Sequence, residues 1–233
     1  MTNIKWLKDW CMIVNTHLPK FVNPTIYQHG LEGDGCISPC GNYFWVKIPK
    51  CASTFMETHL TLHGWERANY QRMQNISNLS FLCIIRDPVE RWISGITEYF
   101  LVEYVKKLNI SISTIMDLLY DTNFIKMVFD GMTFDRHTQH QMYYIQNINL
   151  DNMIFFKLDN TLRSNLQQYF DSHGLENTFA TSHVKKRPLT PIRQFFNDVL
   201  STNDNYKKQV ENWYNYELLT ILPSICYYNN NEQ

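Results

Sequence analysis

The chain has 233 residues, of which 44% are hydrophobic and 18% charged, and its formal net charge is −1. That is enough material for one sizeable α/β domain with its own core, and the absence of a cationic surplus argues against broad nucleic-acid binding. No apolar run reaches the ~18–20 residues of a membrane span, and residues 1–20 are too interrupted by charge for a signal peptide, so a cytoplasmic chain, or a soluble domain of something longer, is expected.

The elements follow in chain order. Residues 1–20 carry Ile4, Leu7, Trp10, Cys11 and Val14 at helical spacing. A Gly/Pro-rich loop runs from Gly30 to Gly41, and an apolar strand from Tyr43 to Ile48. Pro49-Lys50-Cys51-Ala52-Ser53-Thr54 then opens a helix over Ser53 to Leu62, with His63-Gly64 as its stop signal. A buried-type strand, Phe81 to Ile85, runs into Arg86-Asp87-Pro88 and a long helix from Val89 to about Lys107. Further helices are expected over 112–129, a loop over 130–140 and a short helix from Gln141 to Ile148. Met153 to Leu158 reads as a third strand, followed by a helix from Asn160 to His173. An irregular basic segment, 176–190, precedes terminal helices at about 191–200 and 204–222. Strands alternating with helices imply a short central parallel sheet flanked by helices, with ligands at the carboxyl ends of its strands.

The six cysteines (Cys11, Cys36, Cys40, Cys51, Cys83 and Cys226) are scattered. Cys36 and Cys40 have a loose metal-like spacing without a second pair, so free thiols are expected, with Cys83 in the core.

Two loops carry chemistry. Strand–Pro49–Lys50–x–x–Ser53–Thr54–helix sets a lysine and two hydroxyls at a helix N-terminus, where unpaired backbone N–H groups and the helix dipole favour an anion. The glycines of a Walker A loop are missing. An ordinary turn with a serine cap is the competing explanation. In the second loop Arg86 leaves a buried strand and Ser94 follows eight positions later on the next helix. Arginine's planar fork suits phosphate, while structural pairing of Arg86 or Arg91 with Asp87 is the alternative. Asp87, before Pro88, reads as a cap.

Taken together, the loops resemble the two donor-binding motifs of sulfotransferases that use 3′-phosphoadenosine-5′-phosphosulfate (PAPS). Lys-Ile-Pro-Lys-Cys-Ala-Ser-Thr (47–54) resembles the 5′-phosphosulfate loop, and Arg86 with Ser94 the 3′-phosphate motif. Arg-Asp-Pro-Val-Glu-Arg-Trp-Ile-Ser (86–94) is similar to Golgi carbohydrate sulfotransferases, including the heparan 2-O-sulfotransferases. Asp135-Arg136-His137-Thr138-Gln139-His140-Gln141 is similar to their D-x-H-x-x-P-Q block, with His140 in place of proline. The interval from Lys50 to Arg86 is short for that group, which carries a catalytic histidine there.

The resemblance implies a P-loop-like sulfotransferase fold in a single domain over 1–233, with an N-terminal helix and loop (1–42), a PAPS-binding core (43–173) and a C-terminal basic loop and helices (174–233). It also implies sulfuryl transfer from PAPS to a hydroxyl acceptor, with carbohydrate the first choice, 3′-phosphoadenosine-5′-phosphate (PAP) as product and no metal. Lys50 would stabilise the charge growing on the leaving phosphate, and Cys51, Ala52, Ser53 and Thr54 would hold the 5′-phosphate. Arg86 and Ser94 would hold the 3′-phosphate. Read from its residues alone, the basic stretch Lys185-Lys186-Arg187, with Arg193 beyond, either closes over that phosphate, receives an anionic acceptor or is a solvated face. The acceptor's proton needs a base. His137, oriented by Asp135, ranks first, then Glu57 and His59, with His63 and His140 behind. A nucleotide or small-molecule kinase and a non-catalytic PAP-binding module are the rival readings.

Overall fold

The computed structural model describes residues 33–73, 78–145, 148–176 and 189–214, with the single positions 179 and 228. The expected helix over 1–20, the basic residues Lys185, Lys186 and Arg187, and the end of the last helix lie outside the described residues.

In chain order the elements are β1 (Asp34–Ile37), β2 (Tyr43–Val46), α1 (Ser53–Leu62), β3 (Glu66–Asn69), β4 (Ser80–Ile85) and α2 (Pro88–Tyr99). They continue with α3 (Ile112–Leu119), α4 (Thr122–Gly131), β5 (Met153–Lys157), α5 (Leu162–Ser172), α6 (Pro191–Thr202) and α7 (Asp204–Trp213). The strands form one five-stranded sheet in the order β3-β1-β2-β4-β5. The anticipated strands β2, β4 and β5 are parallel to one another, with Phe44 opposite Phe81 and Phe81 opposite Met153.

The sheet as a whole is mixed, which corrects the expectation of a parallel one. β1 lies antiparallel to both β2 and β3. β1 falls inside the stretch expected to be a Gly/Pro-rich loop. Its glycine is the reason it pairs: a Cβ on Gly35 would stand 1.9 Å from the Trp45 carbonyl oxygen and 2.5 Å from the Phe44 ring. Only a residue without a side chain allows that approach. β3, Glu-Arg-Ala-Asn, lacks apolar alternation because it is an edge strand with little to bury. Asn69 Nδ2 donates to Asp34 Oδ1 at 2.8 Å and ties it to β1.

Local signals explain the helix limits. α1 ends where His63 and Trp65 donate backwards to the Leu60 carbonyl and Gly64 takes a φ of 79°. α2 starts at Pro88, and the Asp87 carboxylate accepts from the Glu90 N–H. The helix expected to run unbroken to Lys107 changes at Phe100 into a π-helical stretch, Phe100–Lys107. Within 112–129, Asp121 accepts from the N–H groups of Asn123 and Phe124 and starts α4 as a separate helix. The expected helix at 141–148 is a shorter 3-10 turn, Gln141–Tyr144.

Two hydrophobic cores result. One joins the sheet to α1 and α5 through Phe44, Trp45, Phe81, Cys83, Phe156 and Phe170. The other is built by α2, α3, α4, α6 and α7 around Trp92, Phe100, Phe124, Phe129 and Phe196. Each such side chain, fully buried, stabilises the fold by ~1.5–3 kcal/mol relative to exposure. Trp92 also donates its indole N–H to the Met132 carbonyl at 2.8 Å. Because β2 and β4 are neighbours and parallel, the loops leaving them lie side by side at the same edge of the sheet.

Candidate functional site

The first loop is shaped by its backbone. Lys50 and Ala52 have φ of 67° and 56°, two of the four non-glycine residues with positive φ among those described. Left-handed geometry costs an L-residue roughly 1–2 kcal/mol, and such strain gathers where a ligand loop is over-determined by its surroundings. Ala52 caps α1 without a side-chain hydrogen bond, and the first intrahelical bond runs from Met56 N–H to Ala52 O at 3.0 Å. The N–H groups of Ser53, Thr54 and Phe55 thus start the helix without a partner inside it. The Ser53 side chain is half-buried and Thr54 is exposed. Lys50 Nζ lies 3.2 Å from Glu98 Oε2, with the two side chains 15% and 16% exposed.

The second loop is shaped by side chains. Arg86 directs Nη2 to Glu90 Oε2 at 3.2 Å and Nη1 to the Lys50 carbonyl oxygen at 3.4 Å. The guanidinium therefore bridges the two loops. Glu90 also faces Arg193 Nη2 of α6 at 3.6 Å, so two cations share one carboxylate. Burial lowers the Arg86 pKa from its ordinary value, and Arg193 pushes the same way against the opposing pull of Glu90. An arriving anion would relieve both effects. Arg86 does not pair with Asp87, whose carboxylate is spent on the helix cap. Ser94 and Glu98 lie one turn apart on α2, a spacing that puts them on one face.

The third segment packs on that helix. A Cβ on Gly95 would meet the His137 carbonyl oxygen at 2.2 Å, so glycine lets the loop lie directly on α2. His137 Nδ1 is 2.7 Å from Asp135 Oδ2, and Asp135 Oδ1 accepts the His137 backbone N–H at 2.8 Å. A carboxylate only accepts, so Nδ1 carries the proton and the basic lone pair falls on Nε2. Arg91, completely buried, ties the pieces together. Its Nε donates to the Pro49 carbonyl at 2.9 Å and its Nη1 to the Gln139 carbonyl. The Gln141 side chain bonds both to Cys51 and to the Arg86 peptide.

Lys50, Arg86 and Glu98 thus meet around one patch, with Cys51, Ala52, Ser53 and Thr54 in the adjoining turn and Ser94 on the facing helix. The remaining expected bases are engaged elsewhere. Glu57 forms ion pairs with Lys47 at 2.7 Å and with Arg67 of β3 at 2.9 Å, toward the antiparallel edge of the sheet. His59 is buried and stacks on Phe179 with ring centroids 4.2 Å apart, with His63 packed beside it. His140 packs against Trp213 and Tyr214 at the end of α7. Lys186 and Arg187 lie outside the described residues. Glu98 and Glu90 were not singled out from sequence as site residues, and Gln141 entered only as the last residue of the Asp135–Gln141 block, without a role of its own. Glu98 was within reach of a spacing argument, four residues after Ser94 on a helix, whereas Gln141 acts across a separation of 55 residues.

Among the described residues, no group of three or more His, Cys, Asp or Glu side chains is placed to hold a metal ion, and no helix is long and apolar enough to cross a membrane. Compared with known proteins, the chain matches no family model, no curated sequence and no solved structure.

Proposed function

We propose that the protein is a sulfotransferase that moves a sulfuryl group from PAPS to a hydroxyl of a carbohydrate acceptor. The observation that carries this reading is the contact between the two loops: Arg86 reaches the carbonyl of Lys50, whose own turn is left-handed and opens on an uncapped helix. Lys50 and Arg86 then stand next to a helix start whose backbone donors have no partner inside the helix, the kinds of group that a ligand with a phosphate at each end of a nucleoside requires.

In this reading the N–H groups and hydroxyls of 53–54, with Cys51 and Ala52, hold the 5′-phosphate, and Arg86 and Ser94 hold the 3′-phosphate. Lys186 and Arg187 are assigned to the same phosphate. Lys50 exchanges its bond to Glu98 for the phosphate oxygen that leaves the sulfur, where negative charge grows. The acceptor oxygen attacks sulfur in line while its proton passes to His137 Nε2, which Asp135 holds in the basic tautomer. The new O–S bond forms as the S–O bond to the 5′-phosphate breaks, and PAP departs.

Titration with PAP in the absence of metal tests the donor site. Ligand at 100 times its dissociation constant should stabilise the wild type by ~2.7 kcal/mol, read as a melting shift. Arg86→Ala should need about a hundredfold more PAP for the same shift, since a charge-assisted phosphate contact is worth ~1.5–3 kcal/mol. Lys50→Ala should weaken the response less, because backbone donors remain. A shift with Mg²⁺-ATP and none with PAP would replace this reading with a kinase. PAP binding without transfer to any hydroxyl acceptor would leave a non-catalytic binding module.

A further inference from the structure

Gln141 belongs to neither loop, yet it holds both. It stands at the start of the 3-10 turn Gln141–Tyr144 and is completely buried. Its amide closes on the two polar edges of one residue: Nε2 donates to Arg86 O at 2.7 Å, and Oε1 accepts from Arg86 N–H at 2.9 Å. The same Oε1 accepts from Cys51 Sγ at 3.1 Å. One side chain therefore spans from the residue that leaves β4 to the residue beside Lys50. The sheet does not supply this link, because the β2–β4 pairing ends at Trp45 opposite Leu82, before either loop begins.

We propose that Gln141 is a positioning residue that sets the separation of the two anion loops, so that a ligand bearing two phosphates meets both at once; this rests on the donor-site reading above. With the loops held in register, the second phosphate is met by groups already in place and the ordering cost of its capture is small. Without Gln141, Arg86 loses the side-chain bonds to its N–H and carbonyl, and the spacing of the loops is left to contacts such as Arg86–Lys50 and Arg91–Pro49. A ligand with one phosphate uses one loop and does not sense the spacing. Selectivity for two phosphates over one, more than affinity as such, is the property that Gln141 controls.

The test is calorimetric titration with PAP and with 5′-AMP of the wild type, Gln141→Leu and Gln141→Glu. Gln141→Leu should lower the ratio of PAP affinity to 5′-AMP affinity about tenfold, the effect of losing one or two buried hydrogen bonds. Its 5′-AMP affinity should stay within about threefold of wild type on the same scale. Gln141→Glu keeps the acceptor for Arg86 N–H and Cys51 but loses the donor to Arg86 O, and should give an intermediate ratio. It also carries the comparison if the leucine variant does not fold. An unchanged ratio in a folded variant overturns the proposal. So does a parallel fall in both affinities, which is what a purely structural residue would produce. A wild type that does not bind PAP overturns the donor-site reading itself, an outcome distinct from either of these.

Discussion

After β2 the chain enters α1 through two left-handed residues and no side-chain cap, whereas after β4 it enters α2 through an aspartate cap and a proline. The two turns sit side by side on parallel strands, yet they offer an anion different things. At the first, the N–H groups of 53–55 and the positive end of the helix dipole point out of the loop, so the grip is made by backbone. At the second, Pro88 has no N–H and Asp87 accepts from Glu90, so the helix start has fewer donors to offer and carries a negative charge of its own. Side chains, Arg86 above all, are the main groups that attract an anion there. A backbone site tolerates side-chain replacement, while a side-chain site is as good as its rotamers and counter-ions. Arg86 needs Glu90 and Gln141 around it for that reason, and Ser53 and Thr54 need no comparable scaffold.

The largest effect on this contrast should come from Gly95→Ala. The added methyl would meet backbone atoms of His137, which cannot swing away as a side-chain tip can. Overpacking of this kind costs ~1–3 kcal/mol. Denaturant unfolding should register that loss, and the Asp135–His137 pair should separate from the α2 face that carries Ser94 and Glu98. A loss below about 0.5 kcal/mol, the range of ordinary surface changes, would mean that the third segment rides loosely on α2 and adds nothing to the second site.

Asp87→Ala should come next. Removing the cap leaves the Glu90 N–H without its acceptor and should destabilise the protein by ~1 kcal/mol. PAP affinity should change by less than about threefold, because the cap is a structural part of a turn whose binding groups lie elsewhere. A much larger change in affinity would show that the start of α2 takes part in binding and would erase the difference between the two turns.

The pair of strand–loop–helix units was legible from sequence because its signals are local. Pro88 after Asp87 announces the start of α2, His63-Gly64 the end of α1, and both strands are short apolar runs. The Asp135–His137 pairing was equally local, two residues apart. What escaped was set by distant neighbours. Gly35 looks like a loop residue until Trp45 is seen to press on it, and β3 shows no strand pattern because an edge strand buries so little. Glu57 looked like a base on the helix after Lys50, but its direction is decided by Lys47 and Arg67. His59 is buried against Phe179, a distant neighbour in the chain. The positive φ of Lys50 and Ala52 has no sequence signature either, since neither residue type announces left-handed geometry.

That last feature gives the smallest effect and the most direct probe of a backbone-built loop. Ala52 has φ 56° and ψ 22°, where an L-residue is strained and glycine is not. Replacing it by glycine should remove roughly 1–2 kcal/mol of strain and lose about 0.5–1 kcal/mol of that to the more flexible unfolded chain. A net gain of ~0.5 kcal/mol is expected, seen as a higher denaturant midpoint at unchanged slope. PAP affinity should hold, because glycine keeps the backbone N–H of position 52 along with the donors of 53–55 and removes only a methyl group. Ala52→Val should move stability the other way, since a β-branched side chain tolerates left-handed geometry worst. If glycine destabilised the protein, the turn would owe its shape to packing of the Ala52 methyl, and the first loop would depend on side chains after all.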